Sequence, residues 1–246
     1  MTLRILDLFS GIGGFSLAAR WVGGFETVQF VERDPFCQRI LHKHWPDVPI
    51  HDDICTFQPQ PGSADVVVGG FPCQDISQAG KGLGIQRGTR SGLFYELMRT
   101  VRIVRPRYVV LENVAAILSD GLGTVLGELA EDGRACEWAC VSAADLGAWH
   151  VRNRWWAVSY PDSDRMEGHT EKPIHWQPAL ARVQNLREFE ALRDGPPTGT
   201  PKLCRGSDGI PDWVDRLRAL GNAVVPQVAA IPLARVRELH DGQSFG

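Results

Sequence analysis

Short apolar runs alternate with amphipathic stretches from the start of the chain to about Tyr160, and this alternation is typical of a mostly parallel sheet covered by helices. The runs predict strands over Leu3–Leu8, Thr27–Val31, Ala64–Val68, Tyr108–Leu111, Glu137–Ser142 and Arg154–Ser159. The stretches between them predict helices over Gly14–Trp21, Pro35–His44, Leu93–Val104 and Gly123–Asp132. Each strand-plus-helix repeat takes about 30 residues, the length of a crossover unit. We therefore expect an α/β fold with a doubly wound, mostly parallel sheet.

The pattern changes after Tyr160, where residues 161–211 are rich in Pro, Gly and charge and predict one helix, over Pro178–Leu192. Asp212 is placed to cap a further helix that ends near Leu220, and a last helix is predicted from Pro226 to about Leu239. The expected organisation is a main domain over 1–159, an irregular insertion over 160–211, C-terminal helices over 212–240 that pack back on the main domain, and a tail over 241–246.

Charge and composition narrow the classes of protein. The 246 residues include 29 acidic and 26 basic groups, a net charge of −3, so a polyanion would have to be held by a local basic surface. No run approaches the roughly 18 apolar residues of a membrane span, and the first residues lack a signal peptide's apolar core. The six cysteines form no CxxC pair and are expected to be free thiols. We expect a cytoplasmic protein without membrane contact.

A Gly-rich turn follows the first predicted strand, in the segment Asp7–Phe15 (DLFSGIGGF). Gly11, Gly13 and Gly14 permit a tight turn and a close backbone approach to a ligand, as in Rossmann-like nucleotide-binding folds. Glu32 ends the next strand, where a carboxylate can accept hydrogen bonds from ribose hydroxyls. Glycines after a strand often only make a turn, so this motif alone favours nucleotide binding weakly.

Cys73 stands apart from the other cysteines because of its position. The strand ending at Val68 leads into Gly69–Gln74 (GGFPCQ), so the thiol lies just past the carboxyl end of a strand, where α/β sheets bind ligands. Pro72 restricts the direction of the chain, and the polar residues after Cys73 argue against a buried apolar role. Cys73 is therefore a candidate nucleophile.

These segments resemble motifs of the DNA (cytosine-5)-methyltransferase family, which uses S-adenosylmethionine. Three further segments occur in the family's order: Glu112–Val114 (ENV), Arg152–Arg154 (RNR) and Gly221–Val224 (GNAV). The resemblance covers most of the chain, and residues 160–211 match it only loosely. It implies the Rossmann-like fold of class I S-adenosylmethionine-dependent methyltransferases, with a small, irregular target-recognition insertion.

The resemblance also implies the catalytic residues. Cytosine C5 is a weak nucleophile toward a methyl sulfonium, and the family's thiolate activates it by adding to C6; here that residue would be Cys73. Arg152 and Arg154 are the candidates for the positive surroundings that ionise the thiol. Glu112 would protonate N3 of the base. Without the neighbouring motif residues, Glu112 would be interpreted as an ordinary carboxylate at a strand end.

A cofactor site follows from the same resemblance, and no metal is expected. The residues that it implies for S-adenosylmethionine binding are Phe9, Gly11, Gly13, Glu32, Asp53, Ile54, Pro72, Leu93, Asn222 and Val224. Asp52 is an alternative to Asp53. Asn222 without the resemblance would be interpreted as part of a helix C-terminal cap.

The segment from Gln78 to Gly92 combines several glycines with Lys81, Arg87 and Arg90. Glycines beside a nucleophile suggest a lid, and the basic side chains suggest contacts to DNA phosphates while the target base is extruded. Arg99, Arg102 and Arg105 continue the basic bias, and we expect at least two of them to lie on a solvated helix face, as ordinary surface residues do.

Two departures from the family limit the prediction. His150 stands where the family usually has glutamine, so the glutamine's role passes to His150 or is lost. The insertion is short, which is consistent with a very short DNA target or with a second chain that supplies recognition; otherwise we expect a monomer. Double-stranded DNA is the expected substrate, in a restriction-modification system or outside one. The alternatives are a tRNA cytosine-5 methyltransferase of the same family and a catalytically silent DNA-binding or partner subunit.

Overall fold

The computed structural model describes residues 1–72, 85, 92–148, 151–164, 176, 179, 183 and 221–243. The strands are β1 (Leu3–Leu8), β2 (Phe25–Val31), β3 (Ile50–His51), β4 (Val66–Gly70), β5 (Tyr108–Val114), β6 (Arg134–Ser142) and β7 (Asn153–Pro161). They form one sheet in the order β3-β2-β1-β4-β5-β7-β6. All pairings from β3 to β5 are parallel, whereas β7 runs antiparallel to both β5 and β6. The predicted α/β fold with a mostly parallel sheet is confirmed.

The α-helices whose bounds lie within the described residues are α1 (Gly14–Val22), α2 (Pro35–His44), α3 (Leu93–Val104), α4 (Ile117–Asp120), α5 (Leu122–Glu131) and α6 (Pro226–Gln243), and short 3₁₀ helices cover Ala143–Leu146 and Asp162–Asp164. The side chain of Asp34 accepts hydrogen bonds from the first amides of α2, and Pro35 occupies the first turn, where its missing N–H costs nothing. Helix α6 continues past the predicted end at Leu239 into the predicted tail. No helix within the described residues is long and apolar enough to cross a membrane.

The core lies on both faces of the sheet because successive strand residues point to opposite sides. On one face, Val66 and Val68 pack with side chains of α1 and α6, such as Ala18 and Ile231. On the other face, Val67 packs with side chains of α3 and α5 that include Phe94, Leu97 and Leu129. Each such buried side chain stabilises the fold by about 1.5–3 kcal/mol.

Strand β4 differs most from its prediction, because it begins at Val66 rather than Ala64 and includes Gly69 and Gly70. Glycine has low strand propensity, but both residues pair in register with β5 at Leu111 and Glu112. Tertiary pairing overrides the local preference here, and it carries the strand to the residues that precede Cys73.

The domain boundaries at 159/160 and 211/212 stay predictions. The helix predicted over 178–192 lies outside the described residues except for Ala179 and Val183, and the helix predicted over 212–220 lies outside them entirely.

Candidate active site

The candidate site lies at the carboxyl edge of the parallel strands, beside the point where the strand order reverses between β1 and β4. Open α/β sheets bind their ligands at such a switch point. The Gly-rich turn follows β1, Glu32 follows β2, Pro72 follows β4, and Glu112 lies near the end of β5. Parallel pairing therefore brings residues that are far apart in sequence to one edge.

The turn after β1 uses backbone conformations that few side chains tolerate. Phe9, Gly11 and Gly13 all have positive φ, at 54°, 56° and 87°. A Cβ on Gly13 would lie 2.6 Å from the ring of Trp45, so glycine is required there for space as well as for conformation. The chain thus turns tightly and leads directly into α1.

Glu32 is connected to this turn through the backbone. Its Oε2 accepts a hydrogen bond from the Gly11 amide at 2.7 Å, and Oε1 accepts one from the Asp34 amide at 2.7 Å. Burial raises the pKa of Glu32, and these two amide bonds act in the opposite direction. A carboxylate has about four lone-pair sites, so Glu32 keeps acceptor capacity for the hydroxyls of a ribose.

Asp7 is a buried acid beneath the turn that sequence reasoning did not single out. Its Oδ2 accepts a hydrogen bond from Ser16 Oγ at 2.7 Å, and Ser16 Oγ in turn accepts one from Thr27 Oγ1 at 2.9 Å. Burial raises the pKa of Asp7 to about 8, and the nearby charge of Glu32 also raises it. A carboxyl residue between two leucines near the end of a mostly apolar strand was the signal available in the sequence.

Asp53 and Ile54 lie in the turn after β3. Asp53 Oδ1 accepts a hydrogen bond from the Cys55 amide at 2.9 Å, and this bond lowers the pKa of Asp53. Ile54 is buried in the cluster against which Phe9 and Leu93 pack. The alternative acid, Asp52, has a side chain that is 80% exposed.

The cofactor that the resemblance implies fits these residues. Half-buried apolar side chains suit a purine, and the Glu32 carboxylate suits a diol. The predicted cofactor residues include no lysine or arginine, which suits a ligand with a positively charged sulfur.

Glu112 is held in the centre of the sheet by register. It pairs with Gly70 of β4 and with Trp156 of β7, and a Cβ on Gly70 would lie 3.0 Å from Glu112 Oε2. Arg154 Nε lies 3.1 Å from Glu112 Oε1, and the Glu112 side chain is 13% exposed. Burial raises the pKa of Glu112, while the charges of Arg154 and Arg152 pull it down. A carboxyl group that retains its proton at higher pH can act as a general acid.

Asn113 connects Glu112's strand to the segment that precedes Cys73. Its Nδ2 donates to the carbonyl oxygen of Phe71 at 3.1 Å, and its Oδ1 accepts from the Val114 amide at 2.8 Å. The side chain is almost fully buried, so both bonds are shielded from water. In the sequence Asn113 was only part of a motif; the structure shows what its side chain contacts.

Arg152 directly precedes β7 and Arg154 is the second residue of that strand, yet the two side chains have different partners. Arg152 Nη2 donates to the carbonyl oxygens of Gly221 and Ala223, at 3.0 and 2.9 Å. Both arginines border a cavity of about 580 Å³. Its lining residues are Ile12, Gly13, Gly14, Leu17, Val151, Arg152, Asn153, Arg154, Ala223, Val224, Val225 and Pro226.

The structure therefore brings some of the predicted site residues together directly. Gly13, Val224 and the two arginines border one cavity, while Gly11 and Glu32 are hydrogen-bonded to each other. Asn222 is exposed and lies between Gly221 and Ala223, whose carbonyl oxygens Arg152 contacts. Cys73, Lys81, Arg87, Arg90 and His150 lie outside the described residues.

Arg102 and Arg105 are exposed, as expected for at least two of the three basic residues, but two arginines of α3 also contact the protein itself. Arg99 ion-pairs with Glu96 and donates to the carbonyl oxygen of Ile54, and Arg102 ion-pairs with Glu128. These ion pairs offset part of the positive charge of the two arginines, so less of the segment's basic charge is available to bind DNA phosphates.

Comparison with known proteins gives a family match over most of the chain. A family model described as C-5 cytosine-specific DNA methylase matches residues 3–197. The Type II methyltransferase M2.BsuMI of Bacillus subtilis (strain 168) is 37% identical over 207 residues, which cover 78% of this chain and 52% of that protein. The Type II methyltransferase M.CviJI of Paramecium bursaria Chlorella virus IL3A is 33% identical over 163 residues, covering 65% and 43%. The chain thus spans about half the length of these curated relatives.

Solved structures share the fold at lower sequence identity. A DNMT2 mutant of Spodoptera frugiperda aligns with a TM-score of 0.59 and 19% identity, covering 70% of this chain and 54% of that one. A putative DNA modification methyltransferase encoded within a prophage of E. coli aligns with a TM-score of 0.55 and 23% identity, covering 73% and 54%. These neighbours, together with the family match, confirm the predicted Rossmann-like fold of class I methyltransferases.

Proposed function

The chain belongs to the C-5 cytosine-specific DNA methylase family, and from that premise we propose that it transfers a methyl group from S-adenosylmethionine to C5 of cytosine in double-stranded DNA. The observation that carries the proposal is the half-buried Glu112–Arg154 pair, at 3.1 Å, next to the end of β4. This strand end leads within three residues to Cys73. Addition to cytosine needs an acid and a thiol; Glu112 lies near the end of β5, and Cys73 follows the neighbouring strand β4 in the sequence.

The proposed chemistry begins with the Cys73 thiolate. Its sulfur forms a bond to C6 of an extruded cytosine, the electron pair of the C5–C6 double bond moves toward N3, and Glu112 gives a proton to N3. S-adenosylmethionine supplies the methyl group that C5 then takes. Loss of the C5 proton to solvent base re-forms the C5–C6 double bond as the thiolate leaves C6, and N3 returns its proton to Glu112, which restores the acid. Arg154 orients the acid throughout.

The cofactor would be held from two sides. Gly11, Gly13 and Glu32 would contact its methionine and ribose parts, and Asp53, Ile54 and Leu93 would border the adenine. Asn222 and Val224 would close the pocket from the C-terminal side, with Phe9 and Pro72 adding apolar contacts. The Glu32–Gly11 bond supports this assignment because it fixes the ribose-binding carboxylate relative to the turn.

DNA would be contacted by Lys81, Arg87 and Arg90 at its phosphates and by residues 160–211 at its bases. A second chain that contributes to recognition and a cytoplasmic location are further parts of this proposal. They rest on sequence alone.

The test uses the purified chain, unmethylated plasmid DNA and S-adenosylmethionine, followed by bisulfite sequencing of the product. We expect methylated cytosines in one short sequence context, no methylation by Cys73→Ser, and methylation by the matched control Cys140→Ser, whose thiol is exposed. Covalent trapping of a 5-fluorocytosine duplex through Cys73 tests the adduct directly.

Other outcomes would replace the proposal by a specific alternative. Methylation of tRNA with no action on any duplex would identify an RNA enzyme. Cofactor binding without transfer to either nucleic acid would identify a silent subunit. Transfer that requires a second purified chain would show that recognition is shared.

A further inference from the structure

The segment Gly221–Val225 precedes α6 and is contacted by a side chain that comes from the start of β7. Arg152, which stands just before β7, donates from Nη2 to the carbonyl oxygens of Gly221 and Ala223 at 3.0 and 2.9 Å. These contacts join residues about seventy positions apart in the chain. A single guanidinium thus connects the sheet to the segment that borders the cavity.

The segment is only partly buried, so the contact with Arg152 adds to the packing of Val224 and Val225 against the core. Gly221 and Asn222 have helical conformation and are exposed, and Ala223 to Val225 are half-buried. The last carbonyl groups of a helical turn have no partners within the helix, and a cation near them is electrostatically favoured. Arg152 supplies both the donors and the charge.

Val224 packs this segment against glycines on the side of the site where the cofactor is proposed to bind. Its carbonyl oxygen would lie 2.6 Å from a Cβ on Gly14, and its Cγ2 would lie 3.7 Å from a Cβ on Gly70. The segment therefore packs closely against the start of α1 and the end of β4. A displacement of Val224 would alter the wall of the cavity next to Gly13.

Arg154 has a different partner two residues later in the chain. Its Nε lies 3.1 Å from the Glu112 carboxyl, the proposed acid. We infer that the two arginines have separate tasks: Arg154 orients the acid, whereas Arg152 is a positioning residue that holds Gly221–Val224 in the conformation that closes the cofactor pocket. The inference deepens the proposed function and rests on it for the identity of the cofactor.

Arg152→Lys and Arg152→Gln test this assignment by separating cofactor binding from turnover. Lysine keeps the charge but lacks the planar fork of donors, and glutamine loses the charge. We expect the Kd for S-adenosylhomocysteine, measured by calorimetry, to rise by about 10- to 100-fold in Arg152→Gln and by less in Arg152→Lys, because two charge-assisted hydrogen bonds are lost or weakened. The KM for S-adenosylmethionine should rise in parallel, with a smaller change in kcat.

Arg154→Lys is the contrasting variant, and Arg102→Lys is the matched control, since Arg102 pairs with Glu128 away from the site. Arg154→Lys should lower kcat with a small change in cofactor Kd, and Arg102→Lys should change neither. An Arg152 variant that loses kcat while its cofactor Kd matches wild type would overturn the inference, and so would equal losses in the two arginine variants.

Hydrogen–deuterium exchange without cofactor gives a readout that does not depend on the proposed function. The amides from Asn222 to Val225 should exchange faster in Arg152→Gln, while those of β5 remain protected. Unchanged exchange in this segment would contradict the positioning role. If the wild-type chain binds no S-adenosylhomocysteine, the proposed function fails, and faster exchange would still establish the contact that Arg152 makes.

Discussion

Two glutamates in the sheet, one buried and one half-buried, each contact an arginine, but their surroundings differ. Glu137 on β6 is 2% exposed and accepts Arg235 Nε and Nη2, both at 2.9 Å, and the Tyr160 hydroxyl at 3.0 Å. Glu112 on β5 is more accessible, and its described ion-pair contact is to one nitrogen of Arg154 at 3.1 Å. Among the described residues, three donor groups contact the Glu137 carboxylate, whereas one nitrogen of Arg154 contacts that of Glu112.

The difference indicates that the Glu137 ion pair stabilises the fold, whereas the Glu112 carboxyl group is available for the proposed proton transfer. Three donors contact Glu137, and the two from Arg235 attach α6 to the edge strand β6, which supports the segment before α6. Glu112 has fewer described donors, and burial raises its pKa. A carboxyl group in that state can exchange a proton with a ligand, whereas a fully bonded carboxylate cannot do so without losing its partners.

The largest expected effect is on catalysis at Glu112. Glu112→Gln should lower kcat by about 10²- to 10⁴-fold, the usual contribution of a general acid, while the cofactor Kd changes little. Single-turnover methyl transfer and calorimetry measure the two quantities, with Glu131→Gln on the exposed end of α5 as the control. Equal losses in turnover and cofactor affinity would instead indicate a structural role for Glu112.

Glu137→Gln should act on stability instead. Removing one charge of a buried pair typically costs about 3–5 kcal/mol, and the lower end applies because Arg235 also contacts Glu238. Urea unfolding measures the change, and kcat of the folded variant should stay near wild type. Replacing the pair together, as Glu137→Leu with Arg235→Met, should recover part of the loss. A loss below about 1 kcal/mol in Glu137→Gln would show that the pair does not hold α6.

Asp7 extends the comparison to an acid whose native form keeps its proton. Its pKa is raised to about 8, so between roughly pH 4 and 8 the native state binds a proton that the unfolded chain has released. The free energy of unfolding should therefore fall as pH rises through this window, by on the order of 1.4 kcal/mol per pH unit from this group. Asp7→Asn should flatten the dependence and the exposed control Asp47→Asn should not; equal slopes in wild type and Asp7→Asn would contradict the assignment.

The smallest expected effect concerns Asp34, a carboxylate that caps a helix. It accepts hydrogen bonds from the Phe36 and Cys37 amides at 2.8 and 3.4 Å. Asp34→Ala should lower the free energy of unfolding by about 1 kcal/mol, and Asp34→Asn, which keeps a capping oxygen, by less. Thermal or urea unfolding measures both, and identical losses would show that the cap is not the source.

Periodicity predicted the elements of the main domain well because their apolar faces are long and regular. Helices α2 and α3 begin and end where the pattern placed them, and so does β1. Three features depend on pairing with distant strands: the extension of β4 through Gly69 and Gly70, the two-residue strand β3, and the antiparallel direction of β7. Local sequence carries no signal for such pairing.

The motifs located the candidate site, but they did not reveal what its side chains contact. Glu32, Glu112 and the two arginines were identified as positions, and their roles stay predictions. Three features were not predicted: the hydrogen bond from Asn113 to Phe71, the buried acid Asp7, and the contacts of Arg152 with Gly221 and Ala223. Each joins a residue to its surroundings across the fold, so no window of sequence contains both partners.

The amino-acid sequence alone was enough for the fold class, the order of the motifs and the family, because hydrophobic period and residue spacing are properties of the chain. The division between Arg152 and Arg154, and between Glu112 and Glu137, was decided only in three dimensions. Two arginines two residues apart are equivalent as sequence. They acquire different partners because strand register places Glu112 beside one of them and the returning C-terminal segment places two carbonyl groups beside the other.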